Sequence, residues 1–297
     1  MMLWAVFTLL AQFLWAITNV MDKYVINRYV KNPMVILIFI SSFGLISAFI
    51  ISFFVQISIP SVNIIILSLF TGVLLVITSL FYFKSLLIEE VSRVTPLFSI
   101  NSIFVLILAT IFLNEIFTVE KYGGIFLIVL GSILISLKKH VKLKLSKALF
   151  FMIIASLFWA AYNVLLKFLL NDLTYWNAFF WTRIGGFLAV PFLIYFFYRP
   201  MIKTFKIVKK YPRVAGFISI TEGTNIGATL LMTIALSIGY ASLVSALSQI
   251  HSLFLLILTT VLSIFKPQIL KEELKGSIIL LKLVAVLMII FGVILLT

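Results

Sequence analysis

The chain of 297 residues contains no cysteine, nine acidic residues and two histidines. Disulfides and thiolate metal sites are therefore excluded, and a metal or acid–base centre has few side chains from which to form. The sequence also lacks a Walker phosphate loop, a zinc-protease helix motif and a nucleophile elbow. We therefore predict that the protein is not an enzyme and binds no metal and no cofactor.

Apolar residues are abundant: they make up 63% of the chain, charged residues make up 11%, and the mean hydropathy is +1.26. A soluble domain is about half apolar and a quarter charged, so this composition predicts membrane helices of roughly 20 residues each. Ten apolar runs have that length. They cover 3–22, 33–55, 63–83, 92–113, 120–137, 148–170, 174–197, 213–238, 241–264 and 276–296.

The net charge of +14 arises from basic residues placed between these runs. All Lys and Arg except Lys121, Lys167 and Arg183 lie in or beside alternate connections, beginning with the one after the first run. This pattern is typical of membrane orientation and contact with anionic lipid, so we predict no nucleic-acid partner. The charge bias predicts an inner-membrane protein with both termini outside the cytoplasm.

An internal repeat divides the chain into 1–145 and 146–297, two five-helix units of a single membrane domain. Five residues of the first run recur in the sixth at a constant offset, and 101–112 overlays 251–262 in the same way. The recurring residues of the first run are Trp15, Ala16, Asn19, Val20 and Lys23, which match Trp159, Ala160, Asn163, Val164 and Lys167. Because each unit has an odd number of helices, the second enters the membrane inverted, the architecture of secondary transporters.

The segment 91–118 (VSRVTPLFSINSIFVLILATIFLNEIFT) has a Ser/Pro start, an apolar run, then Glu115 and Thr118. It resembles the fourth helix of the EamA-type transporters of the drug/metabolite transporter superfamily. The resemblance implies ten helices, a central cavity and cytoplasmic termini, the reverse of the orientation that the charges predict. Arg183 matches an arginine of the family in the second half only, and Glu272 is the nearest candidate for a second Glu115.

Trp15, Asn19 and Lys23 lie four residues apart and share one helix face, and Trp159, Asn163 and Lys167 repeat that face. Two interpretations stay open. The asparagines either contact a ligand or join helices, and the lysines either face the cavity or anchor helix ends at the interface.

Arg183 and Glu222 are charges well inside apolar runs, where a charge costs about 2.5 to 3.5 kcal/mol. They either form an ion pair, or Arg183 binds an anionic group while Glu222 carries a coupling proton. Asn225 lies one turn beyond Glu222 and can share either role. The ninth run is rich in Ser and Gln around His251, which either couples protons or makes hydrogen bonds, as its repeat counterpart Asn101 would.

We predict a secondary transporter that moves a small polar metabolite, anionic, zwitterionic or amphipathic, by alternating access with proton coupling or exchange. The alternative is a flippase for lipid or polyprenyl-linked head groups. The expected partners are the substrate and membrane lipid, in a monomer or homodimer. The predicted substrate-binding residues are Trp15, Asn19, Tyr82, Asn101, Trp159, Tyr162, Asn163, Arg183, Glu222, Asn225 and Gln249, and the predicted coupling residues are Glu222 and His251.

Overall fold

The computed structural model describes residues 3–29, 32, 34–88, 98–136, 147–265 and 276–296, and every element in it is helical. The helices are α1 (Leu3–Arg28), α2 (Met34–Ser52), α3 (Val62–Leu86), α4 (Asn101–Leu113), α5 (Val119–Ser136), α6 (Lys147–Leu169), α7 (Tyr175–Leu188), α8 (Val190–Lys210), α9 (Pro212–Ile238), α10 (Ala241–Ser248), α11 (His251–Phe265) and α12 (Gly276–Leu296). The predicted boundary between the two units, at 145/146, lies outside the described residues.

Five segments of the described chain are long and apolar enough to cross a membrane, and the bent pair α7 and α8 makes a sixth. The five are Leu3–Asp22, Met34–Ser52, Val62–Ser85, Lys147–Leu169 and Ala241–Ser263. The prediction of an all-helical membrane protein is therefore confirmed. A helix lies within each of the ten predicted runs, but the seventh and ninth hold two helices each, so a count of ten single helices is not confirmed.

The helices pack in a small number of extensive pairs. α5 packs along α12, α1 packs along α9, and α3 packs against both α6 and α7. One apolar core lies between α1, α4, α6, α9 and α10, and a second lies where the start of α2 meets α8 and the start of α9. This arrangement leaves the middle of the bundle between α1, α3, α4, α6, α9 and α10, where the candidate site lies.

Two helix breaks fall inside apolar runs. α7 and α8 meet at Ala189 with a bend of 50°, and Pro191 in the first turn of α8 cannot supply a hydrogen bond to the preceding turn. α10 ends at Ser248, and a turn at Gln249 and Ile250 separates it from α11. The second break contains neither Pro nor Gly, so nothing in the sequence alone predicted it.

Two glycines allow α3 and α7 to touch backbone to backbone. A Cβ at Gly72 would fall on the carbonyl oxygen of Thr182, and one at Gly185 would fall on that of Leu69. By contrast, a Cβ at Gly123 in α5 would meet no atom within 4 Å. Small residues at such crossings let membrane helices approach closely.

We expect Gly185→Ala to lower the free energy of unfolding by about 1–3 kcal/mol or more, because the helices must separate to admit the methyl group. Gly123→Ala is the matched control and should be neutral or slightly stabilising, since Ala is the better helix former. Thermal unfolding of the purified variants measures both. Equal stability of the two variants would contradict the close approach.

Candidate functional site

A cavity of about 260 Å³ lies in the middle of the bundle. This is just below the range of about 300–1,000 Å³ that is usual for small-molecule sites. It extends along α1 from Gln12 to Asp22, about 15 Å at the helical rise. Its described lining is Gln12, Trp15, Thr18, Asn19, Asp22, Ile40, Thr78, Ser79, Tyr82, Phe83, Phe98, Ser99, Asn101, Trp159, Asn225, Met232, Ser245, Ser248, Gln249, His251 and Ser252.

Most of the residues predicted from the sequence lie on this cavity. Trp15, Asn19, Tyr82, Asn101, Trp159, Asn225, Gln249 and His251 are in its lining. The other predicted residues are not. Tyr162, Asn163, Arg183 and Glu222 are buried beside or behind the lining.

Aromatic rings form one wall of the cavity. Trp15 and Trp159 meet edge to face with centroids 6.2 Å apart, and Tyr162 stacks behind Trp159 at 5.4 Å. Phe98 lies 5.9 Å from Trp159 and 6.0 Å from Tyr82. The Trp15 indole donates a hydrogen bond of 2.9 Å to Oδ1 of Asn225. The two repeated tryptophans are therefore in contact, and a hydrogen bond across α1 and α9 fixes one of them.

A second wall consists of hydrogen-bonded side chains where α4 and α10 meet. The Gln249 amide donates to the Ser102 hydroxyl at 2.7 Å, and that hydroxyl donates to the Ser245 carbonyl at 2.9 Å. The Ser245 hydroxyl is 3.3 Å from Oδ1 of Asn101, to which it donates. Gln249 and Asn101 therefore line the cavity and at the same time join the two helix breaks.

His251 is held by hydrogen bonds on both ring nitrogens. Nε2 lies 2.8 Å from the Asn19 amide nitrogen, and Nδ1 lies 3.3 Å from the Gln12 carbonyl oxygen. An amide that donates to Nε2 and a carbonyl that accepts from Nδ1 fit the neutral ring protonated on Nδ1. Asn19 therefore joins α1 to α11, and the geometry favours the hydrogen-bonding interpretation of His251.

Arg183 and Glu222 are buried and lie outside the described lining of the cavity. No ion pair joins them among the described residues. The Arg183 guanidinium lies over the Phe179 ring at 4.9 Å, and its Nε is buried without a hydrogen-bond partner in the described chain. Oε2 of Glu222 accepts from the Asn225 amide at 3.3 Å. Asn225 therefore connects this charged cluster to Trp15 and the cavity.

Two other cations, Lys84 and Lys167, do not belong to the described lining of the cavity. Lys84 lies over the Phe81 ring, and Nζ of Lys167 donates to the Leu236 carbonyl at 2.8 Å. The Lys23 side chain lies outside the described residues, as do Arg93 and Glu272. Asp22 is the one carboxylate in the described lining.

Several polar residues of the lining were not predicted, and for two of them on α1 helical spacing provides the signal. Gln12 and Asp22 lie three residues before Trp15 and three after Asn19, so they extend the predicted face of α1 by a turn at each end. Phe98 and Ser99 lie just before α4. The predicted run 92–113 is continuous in hydropathy, so nothing in it indicated that a helix begins at Asn101.

Residues 2–137 match the EamA-like transporter family, which belongs to the drug/metabolite transporter superfamily. This match confirms the resemblance predicted from the sequence, and it implies a membrane transporter.

Comparison with other known proteins bears on the fold alone. No curated protein matches the chain, and 28 chains of solved structures do. One of them, titled only "Crystal structure of protein", is similar with a TM-score of 0.71 and 11% identity over 99% of this chain and 95% of its own.

Two substitutions of His251 distinguish a role in hydrogen bonding from a role in proton transfer. We expect His251→Asn to keep most of the stability, because an amide can still bond Asn19. His251→Leu should cost about 0.5–1.5 kcal/mol, because it removes the hydrogen bonds of the ring to the Asn19 amide and the Gln12 carbonyl. Thermal unfolding of the two variants measures this difference, and equal destabilisation by both would contradict the assignment.

Proposed function

We propose that this protein is a secondary transporter that moves a small polar metabolite through the cavity by alternating access. The observation that carries the proposal is a cavity formed at two turns, one before α4 at Ser99 and Ile100 and one between α10 and α11 at Gln249 and Ile250. In secondary transporters, substrate sites lie near the midplane where interrupted helices expose polar groups. Here the turns contribute Ser99, Asn101, Gln249 and His251 to the lining.

The two turns support an inverted repeat. In the first, the N–H group of Ser102 donates to the Ser99 carbonyl, and those of Ile103 and Phe104 both donate to the Ile100 carbonyl. In the second, the N–H groups of Ser252, Leu253 and Phe254 donate to those of Gln249, Ile250 and Ile250. Every pair is separated by the same 150 residues that relate the two sequence segments.

Helix packing supports the same repeat. In the repeat, α1 corresponds to α6, α3 to α9 and α4 to α11. The packed pair α1–α9 therefore corresponds to α6–α3, and the pair α4–α6 corresponds to α11–α1. All four pairs are extensive. One pair departs from this rule: α3 packs closely on α7, while its counterpart, α9 on α2, is much less extensive. The bundle is therefore tighter on one side than on the other, as expected of a carrier with its cavity accessible from one side at a time.

The lining favours a zwitterionic or amphipathic substrate over a simple anion. Its described part has aromatic rings, amides, hydroxyls and the Asp22 carboxylate, but no lysine or arginine. Arg183 remains our proposed contact for an anionic group of a substrate that reaches past Trp159. Glu222 and His251 are the proposed coupling residues; the hydrogen bonds of His251 make Glu222 the stronger candidate for a proton.

Transport is tested with the purified protein in proteoliposomes. A thermal-shift screen of amino acids, amines, nucleosides and organic acids selects ligands, because a bound ligand raises the apparent stability. A radiolabelled ligand should then show saturable uptake and counterflow. Flux without counterflow would indicate a channel, and movement of a fluorescent lipid between leaflets with no solute uptake would favour the flippase.

Arg183→Ala and Glu222→Gln test the charged cluster. Each should lower transport by tenfold or more, because an intramembrane charge without a functional role is costly to retain. Lys84→Gln is the matched control, since its side chain lies over Phe81 outside the described lining, and should transport normally. Normal transport by folded Arg183→Ala and Glu222→Gln proteins would remove both residues from the mechanism.

A further inference from the structure

Glu115 is a buried carboxylate that the transport cavity does not use. It is 3% exposed and follows α4 at a turn where Asn114 adopts the left-handed conformation, with φ of 54°. The amides of Asn114 and Glu115 both donate to the Ala109 carbonyl, which ends α4. The turn directs the Glu115 side chain across the bundle toward the start of α10.

The carboxylate accepts three hydrogen bonds from the first residues of α10. Oε1 accepts from the Ala241 amide at 2.7 Å, and Oε2 accepts from the Ser242 amide at 2.9 Å and the Ser242 hydroxyl at 2.7 Å. A helix start carries free N–H groups and a partial positive charge, so a buried carboxylate is stabilised there. Glu115 thus fixes the position of α10, whose far end carries Ser245, Ser248 and Gln249 into the cavity.

The same corner is held from its other side. Lys167, at the end of α6, donates to the Leu236 carbonyl near the end of α9, where a cation is favoured. The connection between α9 and α10 therefore lies between an anion from the first half of the chain and a cation from the second. Aromatic contacts close over it: Phe117 meets Tyr240 at 5.4 Å, and Trp4 packs on Gly239.

At the opposite end of the bundle, the described residues show no equivalent of Glu115. The 150-residue offset that relates α4 to α11 places Phe265 at the matching position, and its side chain is 78% exposed. The corner between α9 and α10 lies at the end of the bundle that holds the first turn of α1, which we call the Leu3 end. Within the described part of the chain, a carboxylate holds a helix start at the Leu3 end and none does so at the other.

We propose that Glu115 is a positioning residue that keeps the Leu3 end of the transport pathway closed. The proposal rests on the proposed function, because it assigns one side of the alternating access. When the hydrogen bonds from Glu115 to α10 break, α10 is free to move from α4, and the cavity becomes accessible at the Leu3 end. Glu115 therefore sets the balance between the two access states without touching the substrate.

The absence of native cysteine makes this directly testable. A single cysteine at Ser248, in the cavity lining, is labelled with a membrane-impermeant thiol reagent added to one side of oriented vesicles or to the other. With Glu115 intact, labelling from the Leu3 side should be slow. Glu115→Gln should raise that rate at least about tenfold, because it weakens charge-assisted hydrogen bonds to a helix start.

Glu120→Gln is the matched control, since it removes the same charge from an exposed position five residues away. Its labelling should equal that of the parent. Ser242→Ala removes a single hydrogen bond and provides a second test if Glu115→Gln fails to fold; its rate should rise less. A purely structural role predicts a lower unfolding temperature with unchanged labelling from both sides, and that result would overturn the proposal.

The two proposals fail in different ways. Saturable uptake with counterflow together with equal labelling of the Glu115→Gln and Glu120→Gln proteins would overturn the role of Glu115 and leave the carrier in place. No uptake of any screened solute, with faster labelling in Glu115→Gln, would overturn the carrier and leave Glu115 as the residue that closes the Leu3 end.

Discussion

The constraint on which this structure depends is that polar backbone groups in an apolar bundle need partners within the protein. Each interruption of a helix frees such groups, and at three of them polar side chains bond nearby. At the start of α10 the free amides are bonded by Glu115, and at the end of α9 a carbonyl is bonded by Lys167. At the break before α11, the Gln249 amide bonds Ser102 and the Ser245 carbonyl. Polar side chains in this chain thus gather where its helices stop.

The same constraint explains why the cavity lies where it does. The turn before α4 and the turn between α10 and α11 meet near the middle of the bundle, where side chains from both line the cavity. The polar groups left at the turns suit a ligand or water better than lipid. The repeated tryptophans Trp15 and Trp159 then supply an apolar wall on the opposite side.

The sequence predicted much of this architecture and missed particular parts for identifiable reasons. The run at 148–170 corresponds closely to α6, and the face with Trp15 and Asn19 lies on the cavity, because hydrophobic length and helical periodicity are local properties. The break at Gln249 has no Pro or Gly to mark it. The residues that bond Glu115 are more than 100 residues away along the chain, and no local pattern of the sequence indicates that they lie close in space.

The two halves of the chain differ chiefly in how their charges are connected, and this difference reaches the cavity through Asn225. Its oxygen accepts from Trp15 on the cavity side, and its amide donates to Glu222 on the other. The first half has no equivalent connection in the described chain. A ligand that took the place of Trp15 at Asn225 would change the surroundings of Glu222 directly, because the two bonds share one amide group. Since α1 and α9 pack along each other, any relative shift of the two halves also alters this bond. In the proposed carrier, Asn225 is thus the point at which ligand binding, the buried charges and movement of the halves would meet.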